Sequence, residues 1–361
     1  MYGALRPLLF ALPPDRAHAA AMLALAPIEH LAPIRALARS ILAPSDPRLA
    51  VHALGLSFPS PLGVAGGFDK NAHRPRALAA LGFGHVELGT VTARAQEPNP
   101  APNLFRLPED RALVNRLGFP NEGARTVCAR LAGRRGDVPF GVSIGKSRAV
   151  GLDPIEGAIA DYAESFEEAR RVADFVVVNV SSPNTKDLRA MQGADIARAL
   201  FTELTRRNAD GRAKRLPLLV KIAPDLSDAE IEALLAVVEQ AKLDGVVATN
   251  TTIQRTGLRT SAAQVEAIGA GGLSGPPLRA RARDVVARVR ARLGGGIAVV
   301  GVGGVEGADD LLALVRAGAN LVQLYTGFIY GGPLLARSIA RDLTRRLDAS
   351  GARSVAELAG A

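Results

Sequence analysis

The chain has 361 residues, of which 48% are hydrophobic and 4% aromatic, and its formal charge is +9 at pH 7. This composition can bury a large core, and the length alone allows one large domain or two ordinary ones. The positive charge permits an anionic partner. It is carried mostly by arginines scattered along helical segments, however, and no block of basic and aromatic residues forms a stacking surface for nucleic acid.

Two features bear on compartment and on membranes. The single cysteine, Cys128, cannot form an intrachain disulfide, so a reducing compartment is expected. No uninterrupted apolar run reaches the roughly 18 residues expected of a membrane-spanning helix, so we do not expect an integral membrane protein. The apolar stretch after Arg6 is short and runs into Pro13, which argues against a secretory signal.

From residue 60 onward one pattern occurs eight times: a short apolar run, a small or polar tip and then a segment of helical periodicity. Continuous apolar strands that alternate with helices predict a parallel sheet covered by helices. Eight repeats favour a closed (β/α)8 TIM barrel, of the α/β class, over an open sheet. Two connections, 92–138 and 253–278, are long, and we expect them to form lids or binding loops above the barrel mouth. The eight runs are SPLGVAGG, HVELGTV, PFGVSIGK, FVVVNVSS, LPLLVKIAP, GVVATNTT, GIAVVGVGG and LVQLYTGF.

The first 50 residues lack this repeat, so we predict a helical module over 1–50 and the barrel over 51–361. The stretch 17–43 is rich in Ala, Leu and Ile and is interrupted by Pro27 and Pro33, which predicts two short helices with an apolar face. That face either packs on the barrel or faces lipid or a lipophilic partner.

In a barrel of this kind the functional residues project from the carboxyl ends of the strands. The predicted strand ends carry amides, hydroxyls, two lysines and glycines, and no cluster of histidines or carboxylates. Metal-dependent hydrolysis and a Ser-His-Asp triad are therefore disfavoured. The polar residues at these ends are Lys70, Thr90, Ser143, Asn179, Ser182, Asn184, Lys221, Thr249, Asn250 and Thr251.

Glycines follow the seventh and eighth predicted strands, at Gly303, Gly304 and Gly327. Barrels commonly bind phosphate here, because backbone N–H groups approach the anion with no side chain in the way. Lys221, a lysine at a buried strand end, needs a nearby negative charge. It either stabilises the reduced ring of a flavin or forms a salt bridge with Asp225.

Asparagines recur among the candidate site residues, at Asn115, Asn179, Asn184 and Asn250. Each side-chain amide carries both hydrogen-bond donors and an acceptor. Together they suit a flat heterocycle that displays alternating C=O and N–H groups, which predicts a polar planar substrate.

The order of these motifs resembles the class 2, quinone-dependent dihydroorotate dehydrogenases over nearly the whole chain. The matching motifs are PDRAH, GVAGGFDKN, ELGTVT, NRLGFPN, NVSSPNT, VKIAPD, ATNTT, GGLSGPPL, GVGGV and YTGFIYGGP. The resemblance implies oxidation of (S)-dihydroorotate to orotate in pyrimidine (UMP) biosynthesis, with FMN as cofactor and a membrane quinone as electron acceptor. The family's catalytic base is a serine in class 2 and a cysteine in class 1, and the matching residue here is Ser182.

The same resemblance implies the ligand-binding residues. Those expected to bind FMN are Gly66, Gly67, Phe68, Asp69, Lys70, Thr90, Ser143, Asn179, Lys221, Thr249, Gly275, Gly304, Tyr325 and Thr326. Those expected to bind the substrate are Lys70, Asn115, Arg116, Leu117, Gly118, Phe119, Asn179, Asn184, Asn250 and Thr251. Ser143 departs from the family, which usually has asparagine there, so either a water fills the gap or the flavin contact is rearranged.

The resemblance also implies roles for other segments. Ser182 is expected to remove the C5 proton of dihydroorotate and to pass it on through Thr185 and a water near Phe119. The helices of residues 1–50 are expected to form a tunnel for quinone and to hold the protein peripherally on the cytoplasmic side of a bacterial inner membrane.

Two kinds of alternative fit parts of the pattern. One is another FMN barrel that acts on a uracil-like ring, either a class 1 dihydroorotate dehydrogenase or a tRNA dihydrouridine synthase. Both are expected to use a cysteine for proton transfer, and Cys128 lies far from any predicted strand end. The other is a membrane-associated barrel that binds a nucleotide without catalysis, which bound flavin would exclude.

Overall fold

Parallel strands close into a barrel in the computed structural model, which describes residues 2–134, 136–185, 188–211 and 213–360. The closed order is β3-β4-β7-β8-β9-β10-β12-β13, and every neighbouring pair is parallel. All eight predicted strands belong to it, which confirms the TIM barrel. The strands are β1 (Val51–Ala53), β2 (Leu56–Phe58), β3 (Leu62–Val64), β4 (His85–Val91), β5 (Leu104–Leu107), β6 (Ala112–Asn115), β7 (Phe140–Ile144), β8 (Phe175–Asn179), β9 (Leu218–Ile222), β10 (Gly245–Ala248), β11 (Gly272–Ser274), β12 (Ala298–Val302) and β13 (Leu321–Leu324).

Helices surround the barrel because parallel strands are apolar on both faces and must be covered. Short 3-10 turns lie at Pro47–Leu49, Pro108–Asp110, Leu188–Gln192, Pro276–Leu278 and Gly294–Gly296. The α-helices are α1 (Tyr2–Ala11), α2 (Pro14–Ala24), α3 (Ala26–His30), α4 (Ala32–Leu42), α5 (Pro75–Ala80), α6 (Ala124–Leu131), α7 (Ile155–Ala169), α8 (Ala194–Asn208), α9 (Asp228–Gln240), α10 (Ala262–Ile268), α11 (Arg279–Leu293), α12 (Ala308–Arg316), α13 (Thr326–Gly331), α14 (Leu335–Ser350) and α15 (Val355–Ala359).

The barrel interior is closed at the amino-terminal ends of its strands. The antiparallel hairpin β1–β2 brings Phe58 into the interior apolar cluster, together with Phe175 and Leu219. Phe58 also meets the ring of His85 edge-on, at the start of β4. Access to the interior is therefore from the opposite end, where the strands reach their carboxyl termini.

A small antiparallel sheet covers that opposite end. It has the order β11-β6-β5, so it joins the two long connections recognised in the sequence. Gly272 of β11 lies against Thr251 and Pro183, which follow barrel strands β10 and β8. The expectation of a lid above the barrel mouth is confirmed, and we call the sheet β5–β6–β11 the lid sheet.

The N-terminal segment forms four helices, α1 to α4, and three of them, α2 to α4, cover 17–43, so the prediction of two short helices there is wrong. The prolines explain the difference. Pro14, Pro27 and Pro33 each occupy the first or second position of a new helix. Proline has no N–H to donate and fits the first turn of a helix, so each one starts a helix instead of interrupting a longer one.

Helices α1 to α4 combine a buried anchor with an exposed apolar surface. Glu29 is fully buried; its carboxylate accepts from the backbone N–H of Ala77 at 2.9 Å and from Arg76 Nε at 3.1 Å on helix α5.

No single helix in the described ranges is long and apolar enough to cross a membrane. The helical pair Pro14–His30 and Ala32–Leu42, bent by 105°, meets the criterion of length and hydropathy only when its two parts are taken together. The division into 1–50 and 51–361 stays a prediction. The exposed apolar side chains of this segment form what we call the apolar surface of the module: Leu5, Leu8, Leu12, Leu23, Leu31, Ile34, Leu37 and Ile41.

Candidate active site

One cavity opens at the carboxyl ends of the barrel strands, beneath the lid sheet. Its empty space, including open solvent at the mouth, amounts to about 1060 Å³. Its charged lining residues, among those described, are Lys70 and Lys221, and no carboxylate lines it. A polar cavity with two cations and many amides suits an anionic ligand that carries hydrogen-bonding ring groups.

Most of the predicted site residues meet in this cavity. Ser182 lines it together with the predicted cofactor and substrate residues Gly66, Gly67, Lys70, Thr90, Asn115, Leu117, Gly118, Phe119, Asn179, Asn184, Lys221, Thr249, Asn250, Thr251, Gly275, Gly304, Tyr325 and Thr326. Further lining residues that sequence reasoning did not assign include Leu104, Leu113, Ser274, Leu278, Val302 and Gln323.

Four predicted residues lie outside this lining. Phe68 packs its ring against Tyr325 and Phe328, and the carboxylate of Asp69 caps the next turn by accepting from the N–H groups of His73 and Arg74. Arg116 points into the lid, where it donates to the carbonyl of Ala270. The fourth, Ser143, is fully buried behind Thr90. Ligand contacts of Phe68, Asp69, Arg116 and Ser143 stay predictions.

Glycines shape one end of the cavity. A Cβ atom at Gly327 would lie 2.1 Å from the carbonyl oxygen of Val305, and one at Gly275 would lie 2.8 Å from that of Arg111. Gly275 and Gly304 also have positive φ angles of 108° and 71°, which disfavour other residues. Beside them the hydroxyls of Ser274 and Thr326 are 2.8 Å apart. Bare backbone and two hydroxyls make this end suitable for a phosphate.

Ser182 lies in the turn that follows β8. Its Oγ atom accepts a hydrogen bond from the backbone N–H of Asn184 at 3.2 Å, which fixes the hydroxyl oxygen in place. Ser182 is 5% exposed, and nearby Thr185 has a buried hydroxyl without a partner among the described residues. The turn thus places one restrained and one unpaired hydroxyl within three residues.

Asn179 is held in one orientation by its neighbours. Its Oδ1 atom accepts from the hydroxyl of Ser181 at 3.1 Å and from Asn250 Nδ2 at 3.3 Å, while its Nδ2 donates to Thr90 Oγ1 at 2.9 Å. The Thr90 hydroxyl lies 2.9 Å from that of Ser143. Nδ2 carries two hydrogens, so beyond its bond to Thr90 the amide keeps a second N–H group for a ligand in the cavity.

Lys221 crosses the barrel interior to a carboxylate that sequence reasoning missed. Its Nζ lies 3.4 Å from Oε1 of Glu87, whose Oε2 accepts from Gln323 Nε2 at 2.9 Å. The alternative salt bridge with Asp225 is wrong, because Asp225 pairs with Arg189 at 2.7 Å. The signal was present in the sequence: Glu87 and Gln323 are the polar residues inside the otherwise apolar runs HVELGTV and LVQLYTG.

Lys70 lies at the mouth of the cavity. Its Nζ donates to the carbonyl of Gly67 at 2.7 Å. Desolvation lowers the pKa of Lys70 from 10.5 to about 8, against the opposing attraction of Asp69. An anionic ligand would restore the charged form, so this lysine is suited to bind a carboxylate or phosphate. No group of His, Cys, Asp and Glu suited to a metal occurs in the described ranges.

A closed parallel barrel with its polar side chains gathered at the strand carboxyl ends is the architecture of the (β/α)8-barrel enzymes, and this chain falls in that class. The family model for dihydroorotate dehydrogenase matches residues 48–347. The chain belongs to the dihydroorotate dehydrogenase family.

Relatives and solved structures agree with this membership. A relative from Rhodococcus erythropolis named dihydroorotate dehydrogenase (quinone) is 47% identical over 361 residues, covering 100% of this chain and 99% of its own. One of the same name from Clavibacter michiganensis is 54% identical over 312 residues, covering 86% and 88%. The crystal structure of DHODH from Eimeria tenella in complex with ferulenol has a TM-score of 0.83 and 34% identity, and covers 97% of each chain.

Proposed function

We propose that this chain oxidises (S)-dihydroorotate to orotate and transfers the electrons to a quinone, a step of de novo pyrimidine (UMP) biosynthesis. The relatives that support this are named dihydroorotate dehydrogenase (quinone) and match almost the full length of the chain. The single observation in the molecule that carries the proposal is Ser182, which lines one cavity together with the amides of Asn115, Asn179, Asn184 and Asn250.

We further propose FMN as the flavin. The glycine-lined end with Ser274 and Thr326 fits its phosphate, since a side chain at Gly327 or Gly275 would collide with backbone. Gln323 Oε1, which has no partner among the described residues, and the second N–H of Asn179 Nδ2 fit the polar edge of a ring. Bound FMN would accept a hydride from dihydroorotate and later give electrons to quinone.

The residues of this chain then have distinct tasks in the proposed reaction. Ser182 removes the C5 proton, because the N–H of Asn184 fixes its oxygen at the cavity wall. The hydroxyl of Thr185, which has no partner in the described part of the chain, relays that proton toward solvent. Asn115, Asn184 and Asn250 orient the ring of the substrate, and Lys70 binds its carboxylate.

The cysteine-dependent alternatives lack a candidate residue. Cys128 is buried in helix α6 and does not line the cavity. Burial raises the pKa of its thiol to about 12, so it stays protonated near neutral pH. This supports a serine-dependent enzyme over a class 1 dihydroorotate dehydrogenase or a tRNA dihydrouridine synthase.

We propose that the helices of residues 1–50 bind the membrane peripherally and admit quinone, while residues 51–361 form the catalytic barrel. Eight leucines and isoleucines of the module are at least 40% exposed. Exposed apolar residues at this density mark an interaction surface, and short amphipathic helices suit the lipid interface. The cytoplasmic side of the membrane stays a prediction.

A spectrum and a turnover assay test the catalytic proposal. The purified protein is expected to show a flavin spectrum that bleaches when dihydroorotate is added anaerobically and recovers when quinone follows. A protein without flavin after incubation with FMN would contradict the proposal.

Membrane binding is tested separately by liposome co-sedimentation of the triple variant L8Q/L23Q/L37Q. We expect it to lose binding while the barrel keeps its flavin, because these residues are 70%, 70% and 61% exposed. The control is E239Q, which replaces an exposed side chain on helix α9, outside the module. Unchanged co-sedimentation of the triple variant would refute the module's role.

A further inference from the structure

A buried carboxylate occupies the barrel interior beneath the cavity, and the reaction described above does not use it. Glu87, in the middle of β4, is 1% exposed. A Cβ atom at Gly66 would lie 2.3 Å from its Oε1 atom, so the carboxylate presses against the backbone of a cavity-lining residue. Glu87 itself does not line the cavity.

Each oxygen of this carboxylate has its own partner. Oε1 faces Lys221 Nζ of strand β9 at 3.4 Å, and the two side chains are 1% and 6% exposed. Oε2 accepts from Gln323 Nε2 of strand β13 at 2.9 Å. In the ranges that the structure describes, neither Lys221 nor Glu87 has another ion pair. Three strands thus meet in one buried polar network.

A buried charged network of this kind contributes little to the net stability of the fold. Two charges removed from water lose solvation that their mutual attraction only partly returns, and an apolar set of similar volume is often as stable. Lys221 and Gln323 both line the cavity, whereas Glu87 lies behind them. The carboxylate therefore acts on the cavity through the lysine that it holds.

We propose that Glu87 is a positioning residue for Lys221, and that this pair, oriented by Gln323, sets the relative affinity of the site for reduced and oxidised FMN. The inference rests on the proposed function, in which FMN occupies the cavity. A hydride carries two electrons and one proton, so the isoalloxazine ring gains one negative charge unless it takes up a second proton. Positive charge from Lys221 favours the reduced form, and the carboxylate of Glu87 offsets part of it.

Because Glu87 and Lys221 carry opposite charges, removal of each one should shift the midpoint potential of bound FMN in the opposite direction. Glu87→Gln removes a negative charge at nearly constant volume and is expected to raise the midpoint potential of bound FMN. Lys221→Gln removes the positive charge and is expected to lower it. The double variant E87Q/K221Q restores the original net charge, so its potential is expected to lie between those of the single variants.

The substitution Glu87→Gln does not force two N–H donors to face each other at Gln323. Gln323 Oε1 has no partner among the described residues, so rotation of that amide lets Oε1 accept from the amide introduced by E87Q while Nε2 takes its place toward the cavity. We expect the loss of either charge to change the ratio of the two FMN affinities by about tenfold. For a two-electron couple, tenfold corresponds to about 30 mV.

The test is a spectroelectrochemical titration of the FMN holoenzymes, with dissociation constants measured for oxidised and for reduced FMN. The inference is supported if the midpoint potential rises in E87Q, falls in K221Q and lies between these two values in the double variant. An unchanged or lower potential in E87Q, or a double variant outside the two singles, overturns it. Asp161→Asn is the matched control, since it neutralises another buried carboxylate, on helix α7, which accepts from the backbone N–H of Ser147 and does not line the cavity, and it should leave the potential unchanged.

A second variant covers the case in which E87Q fails to fold. Glu87→Asp keeps the charge but draws it back from Lys221 by one methylene, so it is expected to raise the potential by less than complete loss of that charge would; an unchanged or lowered value overturns the inference. The proposed function has a separate readout. If wild-type protein binds no FMN, or dihydroorotate does not reduce it, the function fails; if both occur while the variants do not shift, only the role of Glu87 fails.

Discussion

The side-chain amide of Asn184 donates a hydrogen bond to Oδ1 of Asn115 at 2.9 Å, and this contact joins the barrel to its lid. Asn184 follows strand β8, whereas Asn115 ends β6 of the lid sheet. Asn115 also donates to the carbonyl of Gly272 in β11, at 3.3 Å. Closure of the lid and orientation of a substrate-binding amide therefore depend on the same side chain.

Asn115→Ala is expected to weaken dihydroorotate binding more than it slows the chemical step. It removes one amide from the cavity and leaves another unpaired, a loss of about 1 to 3 kcal/mol. That corresponds to roughly a 5- to 150-fold fall in kcat/KM, mostly through KM. Steady-state kinetics measure it. The control is Asn103→Ala, an asparagine of the same lid whose Nδ2 donates to the Asn99 carbonyl; equal effects in both variants would contradict the role of Asn115.

Ser182→Ala is expected to slow reduction of bound flavin by orders of magnitude while flavin stays bound. The substitution removes the hydroxyl that accepts from the N–H of Asn184, and the neighbouring hydroxyl of Ser181 is engaged with Asn179 Oδ1 and does not line the cavity. Stopped-flow bleaching of the flavin by dihydroorotate measures it. Thr185→Val should slow the same phase less, since a relay is easier to bypass than a base. Near-normal reduction in S182A would remove Ser182 from the role.

Binding of an anionic pyrimidine is expected to weaken as pH rises through about 8. Desolvation lowers the pKa of Lys70 from 10.5 to about 8, so above that pH the free protein loses the cation that would meet the carboxylate. Orotate affinity, followed by perturbation of the flavin spectrum, should then fall by up to about tenfold per pH unit. Lys70→Arg keeps its charge at all these values and should flatten the profile. A flat profile in the wild type would count against Lys70.

Glu29→Ala is expected to detach helices α1 to α4 from the barrel. Its fully buried carboxylate pairs with Arg76 and accepts from the N–H of Ala77, and breaking a buried pair costs about 3 kcal/mol or more. Thermal unfolding and limited proteolysis of the module measure it. Glu239→Ala is the exposed counterpart, with a side chain 58% exposed. Equal protease resistance in both variants would show that Glu29 is no anchor.

The barrel was predictable from sequence because its cause is local and repeated. Each strand is a continuous apolar run such as FVVVN, and each ends in polar residues that need no distant contact to be recognised. The helix boundaries of the module were less accessible. Proline interrupts or starts a helix depending on the residues before it, and at Pro27 and Pro33 it starts one.

The sequence shows a polar residue at Glu87 but does not show that it is the partner of Lys221. Asp225 is near in sequence, but Arg189 and the hydroxyl of Thr252 engage it. Glu87 lies 134 positions away and reaches the lysine across the barrel, at 3.4 Å. Only closure of the barrel brings these side chains together, and the eightfold repeat predicts closure without indicating which interior side chains meet.

The choice of electron acceptor tests the central claim most directly. Dihydroorotate oxidation by the full-length holoenzyme is to be measured with quinone, fumarate and NAD as alternative acceptors under otherwise identical conditions. We predict rapid turnover with quinone and none above background with fumarate or NAD. Turnover with fumarate or NAD but not with quinone would contradict the account.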